Sequence, residues 1–271
     1  EIALKTFPCF DDIDFDPCGV LHLINDDKKH IRFHKMIENW PWDTGQMRIV
    51  NAKEASEIAN IPLETSCLYL PKAGSVSPQK LCRAYAQDIE IIYNFKEGLE
   101  SIDADIIILA SGENLKHQTG LNTVRGQVTY FNASQNSNAM QCHICYGGYV
   151  SRTKNGRHLV GATFQRWLDH DEIIEQDDFD NIEKLKDQIS IFAGDNFEIT
   201  GHRAGMRVTS KDHFPIAGHV RDNIYISGAH GSHGILSSLM AAHILSAQIK
   251  GDNTFVSDEI INALSPYRFR D

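Results

Sequence analysis

The sequence predicts a mixed α/β fold, and a few segments carry most of that prediction. Asp105–Gly112 is a branched apolar run that ends in small residues, as expected of a parallel strand buried on both faces in mid-sheet. Ile224–Lys250 is typical of a strand, a glycine-rich turn and a helix that stops at Gly251. Gly126–Phe131 and His158–Phe164 are rich in branched and aromatic residues and predict an antiparallel pair. The predicted class is therefore α/β with an α+β component.

Three more helices follow from apolar spacing and capping signals. Asp27–Trp40 has apolar residues at helical spacing with basic residues between them. Ser77 is a helix N-cap, and Pro78 stands at the first helical position, where its missing N–H costs nothing. Ile182–Phe192 carries an amphipathic pattern after the acidic stretch Asp169–Asp180, whose charges favour a helix N-terminus and are expected to face solvent.

Composition limits the classes of protein this chain can belong to. Its 271 residues are 42% hydrophobic and 23% charged, which is enough to bury a core, and no apolar run approaches the length of a membrane span. With 26 basic and 36 acidic side chains, the net charge of -10 argues against a broad positive surface for nucleic acid, so any RNA contact must be local. The expected location is the cytoplasm. Because the chain begins at Glu1 without methionine, we expect a fragment or a processed product.

The cysteines predict neither a disulfide framework nor a metal site. Six are scattered along the chain, which favours reduced thiols that serve as packing groups. Cys142 and Cys145 have CxxC spacing, but no second pair lies at zinc-site distance in the sequence. No metal is therefore expected.

The turn from Gly228 to Gly234 is the first candidate site. Glycines allow a ligand to approach the backbone, and the N-terminus of the following helix offers free N–H groups and positive potential. A phosphate or the edge of a flavin would fit there, but a plain tight turn explains the glycines about equally well. His230 and His233 lie within the turn and are the histidines worth testing.

Arg207 is the second candidate, because it is flanked by apolar residues and presents a planar fork suited to a carboxylate. From the residues alone, a structural ion pair with one of the many acidic side chains is the more probable interpretation.

Taken in order, several segments resemble the FAD-dependent oxidoreductases of the D-amino-acid oxidase superfamily. Within it, the chain is similar to the oxidoreductase part of the bifunctional enzymes that build 5-methylaminomethyl-2-thiouridine in tRNA. The resemblance rests on the order of these pieces along nearly the whole chain: Phe15–Val20, Leu81–Arg83, Ile106–Gly112, Gly126–Val128, Gly161–Ala162, Gly205–Arg207, Asp212–Pro215 and Leu264–Arg268.

The resemblance implies two interleaved lobes. A truncated, Rossmann-like FAD-binding lobe would comprise residues 1–17, 74–124 and 201–271. A substrate-binding lobe built on an antiparallel sheet would comprise residues 18–73 and 125–200.

The resemblance also implies an activity and its participants. FAD would take hydride from the C–N carbon of 5-carboxymethylaminomethyl-2-thiouridine at the tRNA wobble position, and hydrolysis of the imine would release glyoxylate. A SAM-dependent methyltransferase domain or partner would methylate the amine. Arg207 becomes the expected clamp for the substrate carboxylate, with His230 and His233 as further catalytic candidates. The residues expected to contact FAD are Ala110, Gly112, Gly228, Gly231, Gly234 and Ile235.

The chain also departs from this family. The GxGxxG fingerprint that holds the FAD pyrophosphate does not occur, and the nearest pattern is GxxGxxG from Gly228 to Gly234. We therefore expect an incomplete cofactor site. Two alternatives stay open: an oxidase of free glycine-like amines, and a non-catalytic remnant that no longer binds FAD.

Overall fold

A computed structural model of the protein describes residues 2–117, 120–194 and 197–269, and it confirms the mixed α/β class. The α-helices are α1 (Ile2–Thr6), α2 (Asp27–Asn39), α3 (Ala52–Ala59), α4 (Pro78–Ala86), α5 (Glu175–Gln188), α6 (Gly234–Lys250) and α7 (Asp258–Leu264). The strands are β1 (Val20–Leu23), β2 (Arg48–Val50), β3 (Cys67–Leu70), β4 (Ile107–Leu109), β5 (Leu121–Asn132), β6 (His143–Cys145), β7 (Tyr149–Val150), β8 (Arg157–Gly161), β9 (Ile199–Ser210), β10 (Ile216–Arg221) and β11 (Ile224–Gly228).

Local signals place the ends of α2, α4 and α6 correctly. The Ser77 side chain accepts a hydrogen bond from the backbone N–H of Lys80 at 3.4 Å, so α4 begins where the Ser-Pro pair predicts. Asp26 caps α2 in the same way. Gly251 ends α6 with a left-handed φ of 71°, a conformation that glycine adopts without strain.

The larger sheet has eight strands in the described part of the chain, in the order β2-β3-β1-β6-β7-β8-β5-β9. Its pairs are antiparallel except for β1 with β6. The predicted antiparallel pair is confirmed: β5 runs beside β8, with Val128 opposite Gly161. The second strand ends at Gly161, three residues earlier than predicted.

The second half of the acidic stretch Asp169–Asp180 forms the start of α5, which runs over Glu175–Gln188 and not over the predicted Ile182–Phe192. The stretch does not simply face solvent, so that part of the prediction is also wrong. Asp177 and Asp178, in the first turn of α5, are only 2% and 3% exposed. Asp177 forms an ion pair with Arg125 of β5, whose side chain is fully buried. A buried guanidinium needs a nearby counter-charge, and this requirement draws the acidic turn onto the sheet.

Buried histidines should make the fold less stable in mild acid. His158 is 1% exposed, with its Nδ1 2.8 Å from the Ser151 carbonyl oxygen and its Nε2 3.0 Å from Ser137 Oγ. Burial lowers the pKa of His158 below its ordinary 6.5, so the unfolded chain binds the proton more readily. The contribution of neutral His158 to the free energy of unfolding is therefore fully present above about pH 6.5, and it is lost as the pH drops below that value.

This pH dependence can be measured as the thermal midpoint Tm between pH 7.5 and pH 5, a range in which ordinary carboxylates stay ionised. We expect Tm to fall toward pH 5, and to fall less in the variant His158→Gln, whose amide does not titrate. A Tm that rises toward pH 5 would contradict the assignment. Burial also lowers the pKa of three other histidines: His22, His143 and His230.

The smaller sheet has the order β10-β11-β4, with β4 parallel to β11 as predicted for a parallel strand. The prediction that this strand is buried in mid-sheet is wrong. β4 lies at the edge, since no strand among the described residues pairs with its outer side, and Ile106 and Ile108 are 38% and 48% exposed. The lobe boundaries suggested by the resemblance stay a prediction.

Candidate functional site

The glycine turn forms a compact loop between β11 and α6. Ala229 and Gly231 both have φ near +54°, a left-handed conformation that returns the chain toward the start of the helix. His233 occupies the N-cap position of α6, but its side chain does not cap the helix. Backbone N–H groups and the positive end of a 17-residue helix therefore face this loop without a side-chain oxygen to satisfy them.

His230 holds this loop together. Its Nε2 lies 3.2 Å from Ser227 Oγ and its Nδ1 lies 2.9 Å from Ser237 Oγ, so both ring nitrogens have partners within the loop and helix. Burial lowers the pKa of His230, which keeps the ring neutral at pH 7. His233 differs, because its side chain is exposed and its Nδ1 lies 3.3 Å from Ser232 Oγ. As placed, His230 positions the loop and His233 is open to solvent.

The two predicted cofactor segments meet where the parallel strands β4 and β11 end. Because β4 and β11 are parallel with Leu109 opposite Ile226, Ala110 and Gly112 emerge beside Gly228. Gly112 has a φ of 57°, and apart from its neighbours in the chain no atom of the described residues lies within 4 Å of where a Cβ would stand. Open space at the carboxyl ends of parallel strands is where α/β proteins dock ligands.

This geometry fits one end of a flavin. The open strand ends, the left-handed loop and the N-terminus of α6 bring small residues and the positive end of the helix together. Ile235 and Gly234, in the first turn of α6, border it, and Ile235 is 38% exposed. The residues present would hold the ring system, whereas no GxGxxG occurs in the sequence to hold the pyrophosphate.

Strand β9 connects this loop to the larger sheet. The Gly231 N–H donates to the Val208 carbonyl oxygen at 2.9 Å, and Thr209 forms an isolated bridge with His230. Arg207 is therefore one residue from the point where the sheet touches the glycine loop.

Arg207 is half-buried, and its guanidinium lies directly over Gly126 of β5, where a Cβ would overlap it. No carboxylate forms an ion pair with Arg207 among the residues that the structure describes, so the ion-pair interpretation finds no partner there. Burial lowers the pKa of Arg207, and the nearby Tyr149 acts in the opposite direction. A half-buried guanidinium without a counter-charge is suited to binding an anionic ligand.

Tyr149 is a site residue that sequence reasoning did not identify. It stands opposite Gly161 on β8, which in turn stands opposite Val128 on β5, so it shares a sheet face with Arg207. Burial raises the pKa of Tyr149, and its phenol therefore keeps its proton at neutral pH. The short Gly-Gly-Tyr segment carries no signal for this placement, which depends on the pairing of three strands.

Of the CxxC thiols, Cys142 is buried and Cys145 is half-buried. Burial disfavours the thiolate and raises the pKa of Cys142 to about 12 and that of Cys145 to about 11. One other cluster brings ligand-type atoms of Asp16, Cys18 and His143 within 4.8 Å of one another. In this cluster His143 Nδ1 accepts the Arg152 N–H at 3.0 Å, so a neutral ring carries its proton on Nε2. That tautomer opposes metal binding by Nε2.

Residues 9–248 match the family model described as FAD dependent oxidoreductase, DAO, and the chain belongs to this family. It is 25% identical over 293 residues to the "tRNA 5-methylaminomethyl-2-thiouridine biosynthesis bifunctional protein MnmC" of Idiomarina loihiensis, covering 99% of this chain and 48% of that protein. The protein of the same name from Chromobacterium violaceum is 25% identical over 326 residues, with 98% and 49% covered. The chain thus spans about half the length of these curated relatives.

Solved structures show the same fold at low identity. L-proline dehydrogenase from P. horikoshii superposes with a TM-score of 0.82 at 16% identity, covering 99% of this chain and 81% of that one. Glycine oxidase from Geobacillus kaustophilus gives 0.78 at 16% identity, covering 95% and 76%. None of the helices in the described part of the chain is long and apolar enough to cross a membrane.

Proposed function

We propose that this chain is the oxidoreductase part of a tRNA-modifying enzyme that removes the carboxymethyl group from 5-carboxymethylaminomethyl-2-thiouridine at the wobble position. The observation that carries the proposal is the half-buried Arg207 guanidinium, which lies over Gly126 and has no carboxylate partner among the described residues. The next residue, Val208, contacts the glycine loop through its carbonyl oxygen. The leaving fragment is glycine-like, and its carboxylate is the group that such a fork binds. Similarity to the tRNA-modifying relatives over 99% of the chain supports the choice of substrate.

FAD, when bound, would supply the two-electron oxidation by accepting a hydride from the methylene carbon between nitrogen and carboxylate. The substrate amine would thereby become an imine, and addition of water would split the imine into glyoxylate and the aminomethyl nucleoside. The amine is the group that a SAM-dependent methyltransferase domain or partner would then methylate. The relatives from Idiomarina loihiensis and Chromobacterium violaceum are named bifunctional, which is consistent with such a division of work.

The chain's own residues would bind and orient the substrate. Arg207 would donate two parallel N–H hydrogen bonds to the carboxylate, and Tyr149, which keeps its proton, would donate a third. Gly126 leaves the space that the guanidinium occupies. Orientation of this kind converts binding energy into a near-attack geometry.

The decisive experiment incubates the purified chain with FAD and with tRNA that carries the carboxymethylaminomethyl nucleoside. We expect bound-flavin absorbance, glyoxylate release and the aminomethyl nucleoside by mass spectrometry. Parallel reactions with free glycine and sarcosine test the alternative. Glyoxylate from these amines but not from tRNA would replace the proposal with a free-amine oxidase. A purified chain that is colourless and does not bind added FAD would support the other alternative, a non-catalytic remnant.

A further inference from the structure

A second concave surface lies at the end of the β5–β9 ribbon, next to the glycine loop. It is a cleft of about 470 Å³, which we call the basic cleft. Its ionisable lining residues are Lys116, Arg166, Lys211 and His213. No acidic side chain is among the residues that line it.

The charge of the basic cleft contrasts with that of the protein, which carries a net -10. Arg166 and Lys211 are exposed, and neither forms an ion pair with a carboxylate among the described residues. Lys116 does have an acidic neighbour, Glu113, at 2.9 Å. A local positive field on an acidic protein would attract an anion to this one place while the rest of the surface repels it.

Exposed aromatic rings accompany these cations. Phe164 and Trp167 flank Arg166 in the chain and are 51% and 76% exposed, and Phe214, next to His213, is 55% exposed. The Arg166 guanidinium lies 5.4 Å from the centroid of the Phe164 ring. Cations interleaved with exposed rings are typical of proteins that bind single-stranded nucleic acid, because the cations contact phosphates and the rings stack on bases.

The walls of the basic cleft are anchored next to the candidate site. On one side, Gln165 and Arg125 exchange two backbone hydrogen bonds of 2.9 Å, which attaches the Arg166 segment to β5. On the other side, Thr209 lines the cleft and also bridges to His230 of the glycine loop. Thr209 is two residues beyond Arg207, roughly 7 Å along a strand.

We infer that the basic cleft binds the phosphate backbone of a single-stranded RNA segment adjoining the nucleotide whose side group reaches Arg207. The inference rests on the proposed function, since an RNA substrate is what requires such a contact. It explains how an acidic protein can act on RNA through a local surface, without a broad positive face.

A rival basic surface lies on α2, where Lys28, Arg32 and Lys35 surround a shallow concavity near Trp40. Helix α2 packs against β2, at the opposite edge of the eight-stranded sheet from β9. An RNA bound there would not be guided toward Arg207. The α2 surface therefore provides a charge-matched control.

The test measures binding of a labelled anticodon stem–loop RNA to the full chain by fluorescence anisotropy at several salt concentrations. The cleft variant is Arg166→Ala/Lys211→Ala and the control is Arg32→Ala/Lys35→Ala; each removes two exposed positive charges. We expect Kd to rise at least about fivefold in the cleft variant and to change less than about twofold in the control. The slope of log Kd against log salt concentration should fall in the cleft variant by the contribution of about one to two phosphate contacts. Trp167→Ala should weaken binding without reducing the salt dependence.

Equal losses in the two double variants, or a loss only in the α2 variant, would overturn the basic cleft while leaving RNA as the substrate. A wild-type chain that does not bind the stem–loop at all would overturn the cleft together with the tRNA part of the proposed function. Thermal unfolding of each variant checks that the fold is retained.

Discussion

The variant Arg207→Ala is expected to lower kcat/KM for a glycine-like substrate by roughly 10²- to 10³-fold, with little change in stability. A fork that binds a carboxylate makes two charge-assisted hydrogen bonds, together about 3–4 kcal/mol, and each 1.4 kcal/mol corresponds to about tenfold. The fold should survive because Arg207 has no ion-pair partner to lose among the described residues. Glyoxylate release from the FAD-treated chain measures the effect.

Two companion variants separate charge from geometry. Arg207→Lys keeps the positive charge but loses the planar fork, so we expect an intermediate loss. Gly126→Ala keeps the arginine but places a Cβ where the guanidinium now lies, which should raise KM by displacing it. Arg203→Ala is the matched control, because Arg203 is an exposed arginine on the same strand. Its removal should leave kcat/KM for the same substrate nearly unchanged. Unchanged turnover in Arg207→Ala would remove the clamp assignment.

The largest effect on stability is expected from Arg125→Met, which should lower the free energy of unfolding by about 3–5 kcal/mol. Arg125 is fully buried beneath the sheet face that carries Gly126. It pairs with Asp177, and its other donors reach Gln127 Oε1 at 2.8 Å and Gln165 Oε1 at 2.6 Å. Its removal leaves the Asp177 carboxylate buried without a counter-charge, which costs more than the lost packing.

Urea unfolding of the wild type and three variants tests this explanation. Arg48→Ala breaks the half-exposed Arg48–Glu54 pair and should cost at most about 1 kcal/mol. The double variant Arg125→Met/Asp177→Leu removes both charges and should recover a large part of the loss. If Arg125→Met is no less stable than Arg48→Ala, or if the double variant is less stable than Arg125→Met alone, the buried pair does not have this role.

The sequence by itself determined the features that depend on neighbours a few residues away. Ser77 followed by Pro78 places the start of α4, and Gly251 places the end of α6, because a cap acts on backbone groups within one helical turn. The strand, turn and helix around Gly231 follow from the same kind of local pattern. The order of motifs along the chain was also enough to predict the DAO family, which the family model confirms.

Only the tertiary structure decided which distant residues meet. Tyr149 and Arg207 share a face because β7, β8, β5 and β9 pair in one register, and a shift of one residue would move Arg207 to the other face. Asp177 is buried because it forms an ion pair with the fully buried Arg125, which lies far away in the chain. Composition showed the acidic balance, but the clustering of Arg166 with Lys211 appears only when β5 and β9 lie side by side. Strand register and burial are set by packing across the whole sheet, and a local sequence window does not contain that information.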